Sequence, residues 1–84
     1  MRIEVRYFAS LREALGERQS LDGMPEGLTV AALRAHLVGQ SAVHADALAS
    51  GRAVRCAVNQ TMAQDGTVVP AGAEVAFFPP VTGG

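Results

Sequence analysis

Four groups of residues in this 84-residue chain are of types that can do chemistry: the terminal pair Gly83-Gly84, the cysteine Cys56, the histidines His36 and His44, and the carboxylates Asp65 and Glu74. Cys56 sits in an alternating apolar pattern with Val54 and Val58 and reads as a small buried core residue, because free cysteine is commonly buried. As the only cysteine it excludes an internal disulfide, a four-cysteine zinc site and a Cys-x-x-Cys redox pair. The histidines have no cysteine or paired carboxylate at metal-ligand spacing, so both read as ordinary helix or surface residues and no metal site is expected. Asp65 precedes Gly66 in a turn signal and Glu74 opens a strand, which accounts for both without a shared acid-base cleft.

The terminal glycines remain. At an average glycine usage of about 7%, a chance pair at a terminus occurs in roughly 0.5% of chains, so Gly-Gly alone says little. Its setting says more. Pro79 and Pro80 stiffen the chain just before it, and the four residues from Val81 to Gly84 reach about 14 Å at full extension. Two residues without Cβ atoms can pass through a channel too narrow for side chains. The terminal carboxyl, with an ordinary pKa of about 3.5, is an anion that resists nucleophiles at neutral pH. Activation as a mixed anhydride with AMP would supply a leaving group, and a sulfur nucleophile could then displace AMP to leave a terminal thiocarboxylate. Sulfur would in that case travel on Gly84 and not on Cys56.

Such a tail needs a strand to mount it. Residues 74–78 form that strand, ended by Pro79, which has no N–H to offer a neighbour. The strand period turns Val75 and Phe77 inward and Ala76 and Phe78 to the other side. An exposed Phe78 would anchor a partner beside the tail; ordinary packing in a sheet covered on both faces is the other reading. Upstream, residues 2–7 alternate strictly, with Ile3, Val5 and Tyr7 on one side. Phe8, Leu11 and Leu15 then share one face of a short helix that stops at Gly16. Residues 17–22 are expected to form an edge strand before the Gly23-Met24-Pro25 turn. Thr29 can cap a second helix carrying Val30, Leu33 and Leu37 up to Gly39. Residues 41–51 suit a further short helix through Val43, Ala47 and Leu48, ended by Ser50-Gly51. A strand over 53–58 turns at Asn59-Gln60, and Asp65-Gly66 is a hairpin-type signal before Val68 and Val69. Strands at both ends with helices between them predict an α+β domain, a mixed sheet with helices packed on one face.

Eighty-four residues make one domain, 1–84, and a chain of this size buries only about 60% of the surface its unfolded form exposes. Seven arginines against eight acids, scattered along the chain, leave no basic footprint for nucleic acid. The alternating charges at the start are unlike a signal peptide, and Glu74 and the prolines break the longest apolar stretch, so no membrane association is expected and a cytoplasmic location is. The absence of lysine leaves no side-chain amine to accept an activated tail, although an arginine- and alanine-rich composition explains it as simply.

The run Val75-Ala76-Phe77-Phe78-Pro79-Pro80-Val81-Thr82-Gly83-Gly84 closely resembles the C-terminus of the small, sulfur-carrier subunits of molybdopterin synthase. Ile3-Glu4-Val5-Arg6-Tyr7-Phe8-Ala9, Leu11-Arg12 and Ala57-Val58-Asn59-Gln60 resemble the same family, while residues 40–52 match it least. The resemblance implies the ubiquitin-like β-grasp fold, with first and last strands side by side and a flexible tail over 81–84. It implies that Gly84, next to Gly83, is adenylated by a ubiquitin-activating-like adenylyltransferase that uses ATP, and is then charged by a sulfur donor. It further implies that Phe78, Pro79, Pro80, Val81 and Thr82 engage the large synthase subunit, which holds the pterin site, while this chain binds no cofactor of its own. The sulfur would go to a cyclic pyranopterin phosphate. A thiazole-synthesis carrier would share the tail chemistry, and the Phe77-Phe78-Pro79-Pro80 run argues against it; a protein modifier whose tail is conjugated to a lysine, or a plain interaction domain whose tail merely docks, is the other class.

Overall fold

The first and last strands pair in parallel at the centre of the sheet. In this computed structural model, which describes residues 1–49 and 53–80, β1 (Ile3–Tyr7) runs beside β5 (Glu74–Phe78) with Val5 opposite Val75 and Tyr7 opposite Phe77. Between them the chain forms α1 (Ala9–Leu15), β2 (Arg18–Leu21), α2 (Val30–Val38), α3 (Ala42–Leu48), β3 (Arg55–Val58) and β4 (Thr61–Ala63). The sheet order is β2-β1-β5-β3-β4, with every pair except β1 and β5 antiparallel. This mixed sheet is the β-grasp arrangement that the resemblance implies.

One face of the sheet forms the core. Ile3, Val5, Tyr7, Val75, Phe77, Cys56 and Val58 pack there against Leu11 of α1, Val30, Leu33 and Leu37 of α2, and Leu48 of α3. The strict alternation of β1 and β5 produces this directly, since each inward side chain is no more than 1% exposed. Thr29 caps α2 as its position predicts, its hydroxyl accepting the Ala32 N–H at 3.1 Å. Ser41 does the same for α3 from His44. Arg34 ties these two helices together, its Nε and Nη2 donating to the carbonyls of Leu48 and Ala49 at 2.6 and 2.7 Å. Those carbonyls lie at a helix end, where no intrahelical donor reaches them.

Three expectations change. Phe8 does not join the core face of α1: it is the extended N-cap residue and stays 38% exposed. Val43, placed by its spacing on the inner face of α3, is 54% exposed, and only Leu48 of that helix is fully buried. A seven-residue helix has room for one side chain directed at an already filled core. Asp65-Gly66 does turn the chain, but it returns no strand to β4. The loop instead presents the Thr67 and Asp65 carbonyls to the N–H groups of Val30 and Ala31, both at 3.0 Å. The open first turn of α2 is satisfied in this way, and Val68 makes an isolated antiparallel bridge to Thr29. The expected helix end at Ser50-Gly51 lies outside the described residues.

Candidate functional site

The site is built around the exit of β5. Val75 and Phe77 are 0% and 1% exposed, while Phe78, Pro79 and Pro80 are half-buried. The strand is held on both edges until its last residue, with Phe78 opposite Arg55 of β3 and the Phe8 N–H donating to the Phe77 carbonyl at 3.1 Å. Pro79 then ends the ladder, because a residue without an N–H cannot extend it. Pro79 and Pro80 also line a groove of about 400 Å³ between α1 and α3, against Ser10, Leu11, Ala14 and Ala47. Of the tail residues singled out from the sequence, Val81, Thr82, Gly83 and Gly84 lie outside the described residues.

Cross-strand register defines the surface next to this exit. Arg18, Arg6, Ala76, Ala57 and Met62 stand opposite one another in turn across all five strands. They share the face that α1, α2 and α3 leave uncovered, since side chains directly opposite in a sheet lie on the same side. Ala76 and Ala57 make a low floor at its centre. Met62, 57% exposed, stands at one edge, and Phe8 and Phe78 flank the floor at the tail end. Phe8 and Met62 are the exposed members of this apolar face, joined by half-buried Ala76 and Phe78 and by buried Ala57, and apolar surface of this kind marks interaction sites.

The polar groups of this face form short chains. Glu4 accepts the Ser20 hydroxyl at 2.6 Å and pairs with Arg2 at 3.2 Å. The Ser20 bond, aided by Arg2, lowers the Glu4 pKa below the usual carboxylate value. Arg6 reaches Glu74 at 3.8 Å and lies over the Phe8 ring, with its guanidinium carbon 5.1 Å from the ring centre. The turn into α1 is strained: Ala9 has φ of +54°, in the left-handed region that costs an L-residue about 1–2 kcal/mol. Such strain is often kept where function requires it.

The remaining candidates lie elsewhere. Cys56 is 6% exposed on the core side, and burial pushes its thiol up to about 11, with Asp65 adding to the rise and Arg34 opposing it. Asp65 lies beside the start of α2 and Glu74 on the uncovered sheet face, so the two carboxylates share no site. His36 is exposed, and His44 bonds Ser41 at 2.8 Å and meets Tyr7 edge-on at 6.4 Å. Among the described residues no cluster of His, Cys, Asp or Glu could hold a metal ion, and no helix is long and apolar enough to cross a membrane.

Arg6, Phe8, Ala57 and Met62 are residues of this face that sequence reasoning did not assign to the site. Phe8 carried a signal all the same: it continues the even-numbered series Arg2, Glu4, Arg6 that points away from the core.

Comparison with known proteins gives consistent likenesses. The ThiS family model matches residues 5–84. The molybdopterin synthase sulfur carrier subunit of Escherichia coli (strain K12) is 44% identical over 82 residues, 98% of this chain and 99% of the relative. The protein of the same name from Haemophilus influenzae is 38% identical over the same shares. Among solved structures, SAMP1 from Haloferax volcanii superimposes with a TM-score of 0.80 at 28% identity, covering 100% of both chains.

Proposed function

This chain belongs to the ThiS family, alongside the molybdopterin synthase sulfur carrier subunits, and from that premise we propose that it carries sulfur as a thiocarboxylate on Gly84. An activating enzyme joins the Gly84 carboxylate to AMP with release of pyrophosphate. A sulfur nucleophile then displaces AMP at the acyl carbon, leaving the thiocarboxylate. The tail, with Gly83 and Gly84 at its tip, enters the active site of the large synthase subunit and gives its sulfur to a cyclic pyranopterin phosphate.

The exit of β5 is the observation that carries this reading. A strand paired with β1 as far as Phe77 and with β3 as far as Phe78, and ended by two prolines, is a firm base for a threaded terminus. The apolar floor of Ala57 and Ala76, with Phe8, Met62 and Phe78 around it, is the surface that the large subunit covers when the tail is inserted. In this reading the activating enzyme and the large subunit supply the catalytic groups, and this chain supplies the carboxyl that carries sulfur.

Co-expression with a large synthase subunit and an activating enzyme, followed by intact-mass and fragment analysis, tests the proposal. One oxygen-to-sulfur exchange confined to Gly84 is expected, and deletion of Gly84 should abolish transfer while the fold is retained. A chain that stays unmodified, or that transfers sulfur without Gly84, rejects the mechanism. Capture of a thiazole synthase in place of the large subunit would assign the same tail chemistry to a different product.

A further inference from the structure

Arg6 is held in an unusual way for a surface arginine. Its side chain is 30% exposed, its guanidinium lies over the Phe8 ring, its Nη1 is 3.8 Å from Glu74, and its Nε is enclosed without a hydrogen-bond acceptor. A long cationic side chain on a sheet face ordinarily extends its head into water, where every N–H is hydrated. Here the head stays down, over the ring, with one donor unmet. The Phe8 ring and the Glu74 carboxylate face the guanidinium there. Ala9, immediately after the ring-bearing residue, is the one residue of α1 with a left-handed φ. Two features that oppose stability, an unmet donor and a strained backbone, therefore converge on the position of one exposed aromatic ring.

We infer that Arg6 and Glu74 form a clamp that fixes the Phe8 ring in the orientation the large synthase subunit receives, which makes Arg6 a positioning residue for docking. The inference rests on the reading above, in which that subunit covers the uncovered sheet face. An unclamped phenylalanine at a chain bend would sample several rotamers, and docking would have to select one. A ring already held by Arg6 from one side, with Glu74 holding Arg6, meets the partner preorganised.

Calorimetric titration of the full chain with the purified large synthase subunit tests this, using wild type, Phe8→Ala, Phe78→Ala, Arg6→Met and the Phe8→Ala/Arg6→Met double variant. Methionine keeps an extended stem and removes the cation. Arg6→Met is expected to weaken binding about fivefold, the scale of one cation-ring contact, and to cause no further loss when Phe8 is already alanine. In the free chain, side-chain couplings of Phe8 should report one rotamer in wild type and averaging in Arg6→Met. Unchanged affinity for Arg6→Met overturns the clamp. So does a loss that persists in the Phe8→Ala background, since Arg6 would then touch the partner directly. If Phe8→Ala and Phe78→Ala weaken binding while Arg6→Met does not, the clamp alone fails. If neither phenylalanine matters, the docking face itself is wrong and the clamp falls with it.

Discussion

Tyr7 and Phe77 stand opposite each other in the parallel pair of central strands, with ring centroids 6.3 Å apart and ring planes 25° apart. Both are buried, and the next residue of each strand, Phe8 and Phe78, belongs to the other face. The core therefore reaches to within one residue of the surface proposed for docking.

Replacing Phe77 with alanine should cost about 3–5 kcal/mol, the usual range for a buried phenylalanine. Small domains have about 5–15 kcal/mol in total, so a large part of the stability would be lost. Urea unfolding measures it, and a loss below about 1 kcal/mol would mean that the stack with Tyr7 contributes little.

Alkaline pH should destabilise the fold. Burial raises Cys56 to about 11 from 9.0 and Tyr7 to about 12 from 10.0. Both groups are neutral in the fold and ionise earlier in the unfolded chain, so the unfolded state binds fewer protons between those values. The stability gained by keeping them neutral is complete below pH 9.0 and declines as pH rises toward about 12. Urea midpoints measured from neutral pH to above 10 should fall accordingly. Cys56 should resist thiol reagents at pH 8 in the native chain and react on unfolding; rapid native labelling would contradict its placement.

The turn between β3 and β4 invites stabilisation. Asn59 and Gln60 have φ of +48° and +68°, the pair of left-handed residues that a two-residue hairpin of this type requires. Asparagine tolerates this conformation, whereas glutamine is strained in it. Gln60→Gly should raise stability by about 0.5–1 kcal/mol, the relieved strain being partly offset by chain entropy. A lower melting temperature would show that the Gln60 side chain contributes contacts that outweigh the strain.

Ala76 offers a test of the docking face that leaves the core alone. It is half-buried at the centre of the floor, opposite both Arg6 and Ala57. Ala76→Arg places bulk and a like charge there and should weaken binding of the large synthase subunit at least about tenfold. Circular dichroism should remain that of the parent chain. Undiminished binding would remove this face from the proposed interface.

Local periods were legible in the sequence because they depend on neighbours within one strand or one turn of helix. The alternation of residues 2–7 and 74–78, the Thr29 cap, the stop at Gly16 and the proline end of β5 are all of this kind. The placement of Phe78, Pro79 and Pro80 at the end of β5 is of the same kind. The terminal chemistry proposed for Gly84 is likewise read from residue type, a carboxyl carried on two residues without Cβ atoms. Phe8 fitted both the strand series of β1 and the helical face of α1, and no local rule chooses between two periods at a junction. The left-handed bend at Ala9 and the pull of Arg6 decide it. Met62 and Ala57 joined the same surface only once β3 and β4 were paired beside β5. The loop at Asp65-Gly66 caps α2 because that helix's first turn lies within reach. The last two outcomes rest on contacts between residues far apart in sequence, which burial of the common core brings together.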